Sequence, residues 1–395
     1  MAESFDAIVI GGGVIGASAL FQLTRLGCRN ALLIERGELA GGMTAYSSGI
    51  VRTHYSVPIN VQVARASFAM FEGFKDLLDG DPDADTGLVR SGYLIVAPPG
   101  PSSEAVRASI GVQRSLGVDA QLLDHEEALA KHPWLQLHDI DAVGFEAEAG
   151  FADPYLVTTS FARAARRGGA TIRTKLEVTG LIRDGQRVIG VQTKDGPIHA
   201  GVVLSAVNVW SRVAAGWAGI EIPCHITAHH VFTLAATAPY TTDLPVLKDL
   251  ASPSKLYMRA SGGHLMVGAG HEGHPASDPD RPDLEADQDT LVDEAMQAAH
   301  RLPAFEEGSL VHSWSGLYDT TPDWNPVLGR VPGIDGLQVA FGFSGHGFKL
   351  SPMIGRMLAQ SMLGLQPDLP IDPYRITRFE EGQLLTGVYG TGAVS

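Results

Sequence analysis

Three glycines near the N-terminus, Gly11, Gly13 and Gly16, constrain this chain more tightly than anything else in it. They follow the β-branched run Ala7 to Ile10 and open the stretch Val14 to Leu26, whose apolar residues recur at helical spacing until Gly27. This reads as strand, tight turn and helix, with G-x-G-x-x-G laid across the turn. A second apolar run, Ala31 to Ile34, is the next strand of a βαβ unit, and Glu35 ends it. The first glycine permits the turn, the second lets a pyrophosphate approach the backbone, and the third lets helix and strand pack closely. The helix N-terminal amides at Val14 and Ile15 then face the phosphates. Glu35 stands 22 residues after Gly13, where a carboxylate takes both hydroxyls of a ribose and repels a 2′-phosphate. A dinucleotide other than NADP is expected, with NAD and FAD both open at this point.

Length and composition bound the remainder. The 395 residues amount to two or three domains at roughly 150 residues each. Apolar residues make up 45% and charged residues only 18%, which excludes a disordered chain and predicts a large buried core. The net charge of −15, with no basic stripe, excludes nucleic acid as a partner. Cys28 and Cys224 stand far apart, so neither a disulfide framework nor a cysteine-built metal site is expected and a reducing compartment fits. The longest uncharged apolar stretch, Ala7 to Phe21, contains four glycines and falls short of the roughly 18 apolar residues a membrane helix requires. It also lacks the flanks of a signal peptide. A soluble, cytoplasmic protein with no membrane partner is expected.

Further along, Asp79, Asp81, Asp83 and Asp85 alternate as in a calcium loop, but glycine and the closing Glu are absent, and a solvated loop is expected. Tyr93 to Ala97 reads as a strand, followed by helical, charged sequence through His132. An α/β rhythm returns with a helix over Pro154 to Arg167 and strands over Thr171 to Thr174, Val188 to Thr193 and Val202 to Ala206. Strands at Val231 to Leu234, Lys255 to Arg259 and Leu265 to Ala269 precede an acidic, Pro-rich linker over Asp278 to Asp289 and a helix near 290 to 301. This stretch reads as a second domain inserted into the first. No repeat or low-complexity tract occurs.

Near the C-terminus the run Gly342-Phe343-Ser344-Gly345-His346-Gly347-Phe348-Lys349 follows a strand beginning at Leu337 and precedes Ser351-Pro352, an N-cap followed by proline at the first helical position. A helix starting near Pro352 therefore aims its positive end out of a glycine-rich turn. Such an end stabilises negative charge on a reduced isoalloxazine, a demand NAD does not make. FAD is the expected cofactor.

These segments resemble the D-amino-acid-oxidase superfamily of flavoproteins, in its sarcosine oxidase and dimethylglycine dehydrogenase branch. The resemblance covers nearly the whole chain. It is carried by the N-terminal fingerprint, Ile34-Glu35-Arg36, the Thr44 to Arg52 segment, Val203 to Ser211, Gly316-Leu317-Tyr318 with Thr321-Pro322-Asp323, and the Gly342 to Lys349 loop. It implies an α/β (α+β) fold with a Rossmann-like FAD-binding domain assembled from residues 1–85, 145–220 and 320–395. An antiparallel substrate-binding domain would comprise 86–144 and 221–319. It also implies cofactor contacts from Arg36, Thr44, Ser47, Ser48, Val178, Gly345, His346, Gly347, Phe348 and Lys349, beside Gly11, Gly13, Val14, Ile15, Gly16 and Glu35.

For the substrate, the resemblance implies that Arg52 clamps a carboxylate, that Lys349 assists from the opposite side, and that Tyr318 is the active-site tyrosine. Tyr257 and Arg259, two apart on a strand, share a face and match Tyr-x-Arg pairs that face the ligand in the family. His346 is a candidate hydrogen-bonding partner of cofactor or substrate. If the strand at Val231 extends back, His229 and His230 point to opposite faces. His271 and His274 have no partner carboxylates, so no metal is assigned. The implied reaction is oxidation of an amino acid or N-alkyl amino acid to an imine by hydride transfer to flavin N5, followed by hydrolysis. Two alternatives are a D-amino-acid or glycine dehydrogenase or oxidase, and the flavin-bearing subunit of a multi-subunit amine or opine dehydrogenase with partner chains. Family members tether the flavin through a cysteine at the position of Gly316 or a histidine near that of Tyr46, so non-covalent FAD is expected. The final acceptor is oxygen or another electron acceptor. Sarcosine oxidases place a lysine for oxygen where Met266 falls, and no Lys or Arg occurs from Ala260 to Asp280, which favours a dehydrogenase.

Overall fold

The computed structural model describes residues 3–236, 244–270, 273–276, 278–280 and 287–390. His271 and residues 281–286, half of the acidic linker, lie outside the described residues. Two large sheets organise the chain, and its mixed α/β class agrees with the expectation from sequence.

The first sheet runs in the order Val327–Val331, Ile334–Phe341, Arg187–Thr193, Gly196–Ser205, Glu3–Ile10, Ala31–Ile34, Thr171–Arg173, with Val178–Asp184 paired to Arg187–Thr193. Its centre is parallel: Ile10 lies opposite both Ile34 and Ser205, and Ser205 lies opposite Val339. These strands are buried on both faces, which is why they read as continuous apolar runs. Their C-terminal ends share one edge, where an open parallel sheet forms its binding crevice. Helix Val14–Arg25 is buried along all but its last residue, against helices Pro154–Arg167 and Gly347–Met362. The approach to Gly347–Met362 is so close that a Cβ at Gly355 would overlap the Ser18 side chain.

The second sheet has the order His274–Ala276, His225–Ala235, His264–Gly268, Tyr257–Ser261, Val246–Asp249, Tyr93–Ala97, Ala142–Glu146, Ala120–Leu123, with Ser309–Thr320 on the other side of His225–Ala235. Its register brings distant residues into rows on one face. Val231, Gly268, Tyr257, Lys248 and Ile95 form one row, and the next contains Thr233, Met266 and Arg259, with Tyr93 opposite Glu146 farther along.

Two sequence expectations are corrected. The stretch read as helical through His132 contains a strand, Ala120–Leu123, between helices Pro101–Ser115 and His125–Lys131. Its pairing with Ala142–Glu146 is a tertiary contact that overrides weak local propensity. The last helix begins at Gly347, not near Pro352, so Ser351 is not its N-cap and Pro352 lies inside the helix. Ser344 and Gly345, at φ 48° and 82°, already turn the chain, and a proline this close to a helix start removes a single intrahelical hydrogen bond. The aspartate-rich segment is a structural loop: Asp81 is buried and pairs with Arg163 and Arg167.

Candidate active site

A cavity of about 580 Å³ runs from the C-terminal edge of the first sheet to the face of the second. At one end it is bordered by Gly11, Gly13, Val14 and Ile15, with Glu35, Arg36, Thr44 and Val178 beside them. Gly16 does not border the cavity, and its role is packing: a Cβ there would overlap the carbonyl of Gly11. Glu35 accepts hydrogen bonds from the Gly12 amide on one oxygen and from the Gly37 amide on the other, both at 2.7 Å. Each oxygen keeps a lone pair for a ligand hydroxyl. Thr44 Oγ1 accepts from the Val14 amide at 3.1 Å. The Arg36 guanidinium lies 4.1 Å over the Trp210 ring, and both side chains donate to Asp280.

At the other end the lining comprises Ser47, Ser48, His229, Val231, Tyr257, Gly316, Tyr318, Asp319, Phe343, Gly345, Gly347 and Phe348. Tyr257 and Tyr318 are hydrogen-bonded through their side chains, and Tyr318 stacks on His229 with ring centroids 3.8 Å apart. Glycine is required beneath both phenols: a Cβ at Gly268 would overlap the Tyr257 ring, and one at Gly345 would stand 2.5 Å from the Tyr318 ring.

The remaining expected residues are buried behind this lining. Arg52 lies 4.4 Å over the Tyr55 ring and 5.6 Å from that of Tyr93. Tyr55 in turn meets His346 edge-on, at 5.4 Å. The Lys349 ammonium donates to the Gly345 carbonyl at 3.3 Å, and burial, reinforced by Arg52, holds its pKa well below the usual lysine range. Arg259 is set apart: it donates to the carbonyls of Ser48 and Ala260 and stacks over Phe151. The register does place it on the same face as Tyr257 and Met266. The strand at Val231 extends back to His225, so His229 borders the cavity while His230 is hydrogen-bonded to Ser315.

Three residues at this end were not picked out from sequence. Asp319 accepts from the amides of Gly342 (2.6 Å) and Phe343 (3.1 Å) and from the Asn208 side chain (3.0 Å), and its own carbonyl takes the Ser344 amide. One residue thus shapes the glycine-rich turn. Burial still pushes its carboxyl up to about 7. Glu146 accepts from the Thr53 amide and hydroxyl and is hydrogen-bonded to His54, which clamps the segment carrying Arg52. Lys248 lies in the Tyr257 row, and burial lowers its ammonium to about 7. The available signal for Lys248 is the charged pair Lys248-Asp249 set inside the apolar stretch Leu244 to Leu250.

The family model for FAD dependent oxidoreductases matches residues 6–361. The chain belongs to the FAD-dependent oxidoreductase family. It is 29% identical to sarcosine oxidase subunit beta of Arthrobacter sp, over all of this chain and 95% of that one. It is 26% identical to mitochondrial sarcosine dehydrogenase of Homo sapiens, over 95% of this chain but only 41% of that protein. Among solved structures, L-proline dehydrogenase from P. horikoshii superimposes with a TM-score of 0.88 at 27% identity, covering 97% of this chain and 100% of that one.

As an FAD-dependent oxidoreductase the chain needs a cradle for a dinucleotide, and its residues fit one. Helices Val14–Arg25 and Gly347–Met362 both start at the cavity with no capping bond from the side chain of their N-cap residue; Thr44 takes the Val14 amide, and the other N-terminal amides are left for anions. A Cβ at Gly13 would meet only the Thr44 hydroxyl, at 3.1 Å, so the backbone stays open to a close approach. Gly316 and Tyr46 border the cavity together, and neither offers a nucleophile of the kind that tethers a flavin. Among the described residues His138, Asp139 and His300 could bring ligand atoms within 4.8 Å of one another, yet both Asp139 oxygens already accept from Arg301. No helix among the described residues is long and apolar enough to cross a membrane.

Proposed function

We propose that this enzyme oxidises an α-amino acid, preferentially an N-alkylated one, at the carbon bonded to nitrogen. The observation that carries the reading is the placement of two buried basic groups, the Arg52 guanidinium and the Lys349 amine that a bound carboxylate would charge, behind the aromatic and glycine lining at one end of the cavity. A desolvated cationic pair is what holds a substrate carboxylate through charge-assisted hydrogen bonds. Sarcosine and proline, named in the relatives above, are both secondary amino acids. Non-covalent FAD, with Glu35 on its ribose and the two helix N-termini on its charged groups, would supply the acceptor for a hydride.

The chain's own groups then act by placement. Arg52 and Lys349 hold the carboxylate, while Tyr257 and Tyr318 close over the substrate and exclude water, which strengthens these electrostatic contacts. The substrate must lose its ammonium proton before its C–H bond yields a hydride. No described carboxylate at this end has the freedom to act as a base, because Asp319 is engaged by three donors. Substrate therefore binds best as the neutral amine, and orientation supplies the rate. Water outside the closed site hydrolyses the imine to a carbonyl compound and an amine.

Anaerobic mixing of the yellow holoenzyme with a panel of amino acids and N-methyl amino acids tests this: bleaching by N-methyl amino acids ahead of primary ones is expected. Bleaching by amines that lack a carboxylate would overturn it. A second reading, as the flavin-bearing chain of a larger assembly, is favoured by the end-to-end match to a protein named as a subunit. Full turnover by the chain purified alone would reject that reading.

A further inference from the structure

Arg52, Lys349 and Lys248 are 5%, 7% and 4% exposed, and among the described residues Glu146 is the carboxylate that acts on Arg52. Arg52 also repels both ammonium groups, each of which burial has already made hard to charge. The Lys248 ammonium donates to the Lys255 carbonyl and Lys349 to that of Gly345. Neither lysine has a described carboxylate at salt-bridge distance. Asp249, the next residue along, pairs with Arg301, and Lys255 is exposed to solvent. Charging both lysines beside Arg52 would leave two positive charges in excess of Glu146, which is unfavourable unless something anionic completes the site.

The space around Lys248 is built for it. A Cβ at Gly270 would overlap its ammonium and one at Gly268 would overlap the Tyr257 ring. Glycines here make room for two side chains that stand opposite each other across adjacent strands. The ammonium lies 6.0 Å from the centroid of the Tyr257 ring, which borders the cavity.

We propose that Lys248 receives a second carboxylate of the substrate, so that the enzyme acts on dicarboxylic amino acids and above all on those whose nitrogen carries a carboxyalkyl group. One carboxylate goes to Arg52 and Lys349, the other to Lys248, and each negative charge neutralises the proton its lysine takes up. This rests on the reading of Arg52 and Lys349 as the carboxylate anchor. Because the free Lys248 ammonium titrates near neutrality beside Arg52, Tyr257 and Lys255, binding a dianion raises its pKa and draws a proton from solution.

The test compares monocarboxylates (N-methylglycine, proline) with dicarboxylates (iminodiacetate, N-methylaspartate, N-methylglutamate) as reductants of the holoenzyme. Dicarboxylates are expected to be preferred in kcat/KM by at least about tenfold. Lys248→Met is expected to raise KM for dicarboxylates about 100-fold, the scale of losing a buried charge pair, with monocarboxylates little changed. Calorimetry at about pH 8 in buffers of different ionisation enthalpy reads the net proton balance of dicarboxylate binding: the substrate amine releases a proton in both proteins, and wild type is expected to take up more protons than Lys248→Met by up to about one. Bleaching by monocarboxylates alone, or an equal loss on both classes in the variant, overturns the role of Lys248 and leaves the proposed function standing. Bleaching by neither class overturns both.

Discussion

Arg52 directly follows the two-residue strand Ile50–Val51 and leads into the segment clamped by Glu146, and it stacks between aromatic rings instead of reaching solvent. Arg52→Ala is expected to weaken substrate binding by about 1.5–3 kcal/mol, the range for hydrogen bonds to charged groups, with a smaller change in the rate of bound substrate. An unchanged apparent affinity in anaerobic titrations would place the anchor elsewhere. Asp319 makes a prediction about pH. Its carboxyl ordinarily titrates at 3.8 but is raised to about 7 in the fold, so between those values the folded state holds a proton the unfolded state has lost. The stability it contributes is complete below the unfolded pKa and is lost as pH rises through 7. Thermal melts of wild type and Asp319→Asn from about pH 4.5 to about pH 8 check the sign. Wild type should gain on the variant as pH falls, and parallel curves would show that Asp319 is ionised throughout.

At the scale of elements, two helices do the electrostatic work because two glycines let them. Gly16 brings helix Val14–Arg25 onto its own strand, and Gly355 brings helix Gly347–Met362 onto Ser18 of the first helix. Both N-termini consequently open on one cavity. Gly355→Ala forces a methyl group into the Ser18 contact and should destabilise the protein by about 1–3 kcal/mol, as overpacking does. FAD affinity should fall with it, because the second N-terminus moves relative to the first. Fluorescence of released flavin against temperature reads both effects together, and a variant as stable and as tightly loaded as wild type would deny the coupling. The misplaced start of this last helix shows what local sequence lacks. Ser351-Pro352 is a good helix opening in isolation, but the loop before it is already turned by left-handed Ser344 and Gly345 and held by Asp319, a residue 25 positions upstream of Ser344. Local preference yields where long-range hydrogen bonds fix the backbone first.

For the molecule as a whole, the first sheet presents an edge and the second a face, and the cavity lies between them. Gly316 and Tyr46 meet there without a thiol or imidazole. Acid precipitation is therefore expected to release all the flavin into a yellow supernatant, whereas a yellow pellet would reveal a covalent bond formed elsewhere. The sequence alone determined the dinucleotide half of this site. The strand, the glycine turn, the helix and Glu35 are neighbours along the chain, so spacing carries the geometry, and a resemblance to known flavoproteins carried the choice of Arg52, Tyr318 and Lys349. The substrate half was decided by tertiary structure. Lys248, Tyr257, Tyr93 and Glu146 belong to four strands spread over more than a hundred residues, and only sheet register makes them neighbours. Burial works the same way: an ammonium or carboxyl acquires its perturbed proton affinity from the atoms packed around it, and those atoms are chosen by the fold.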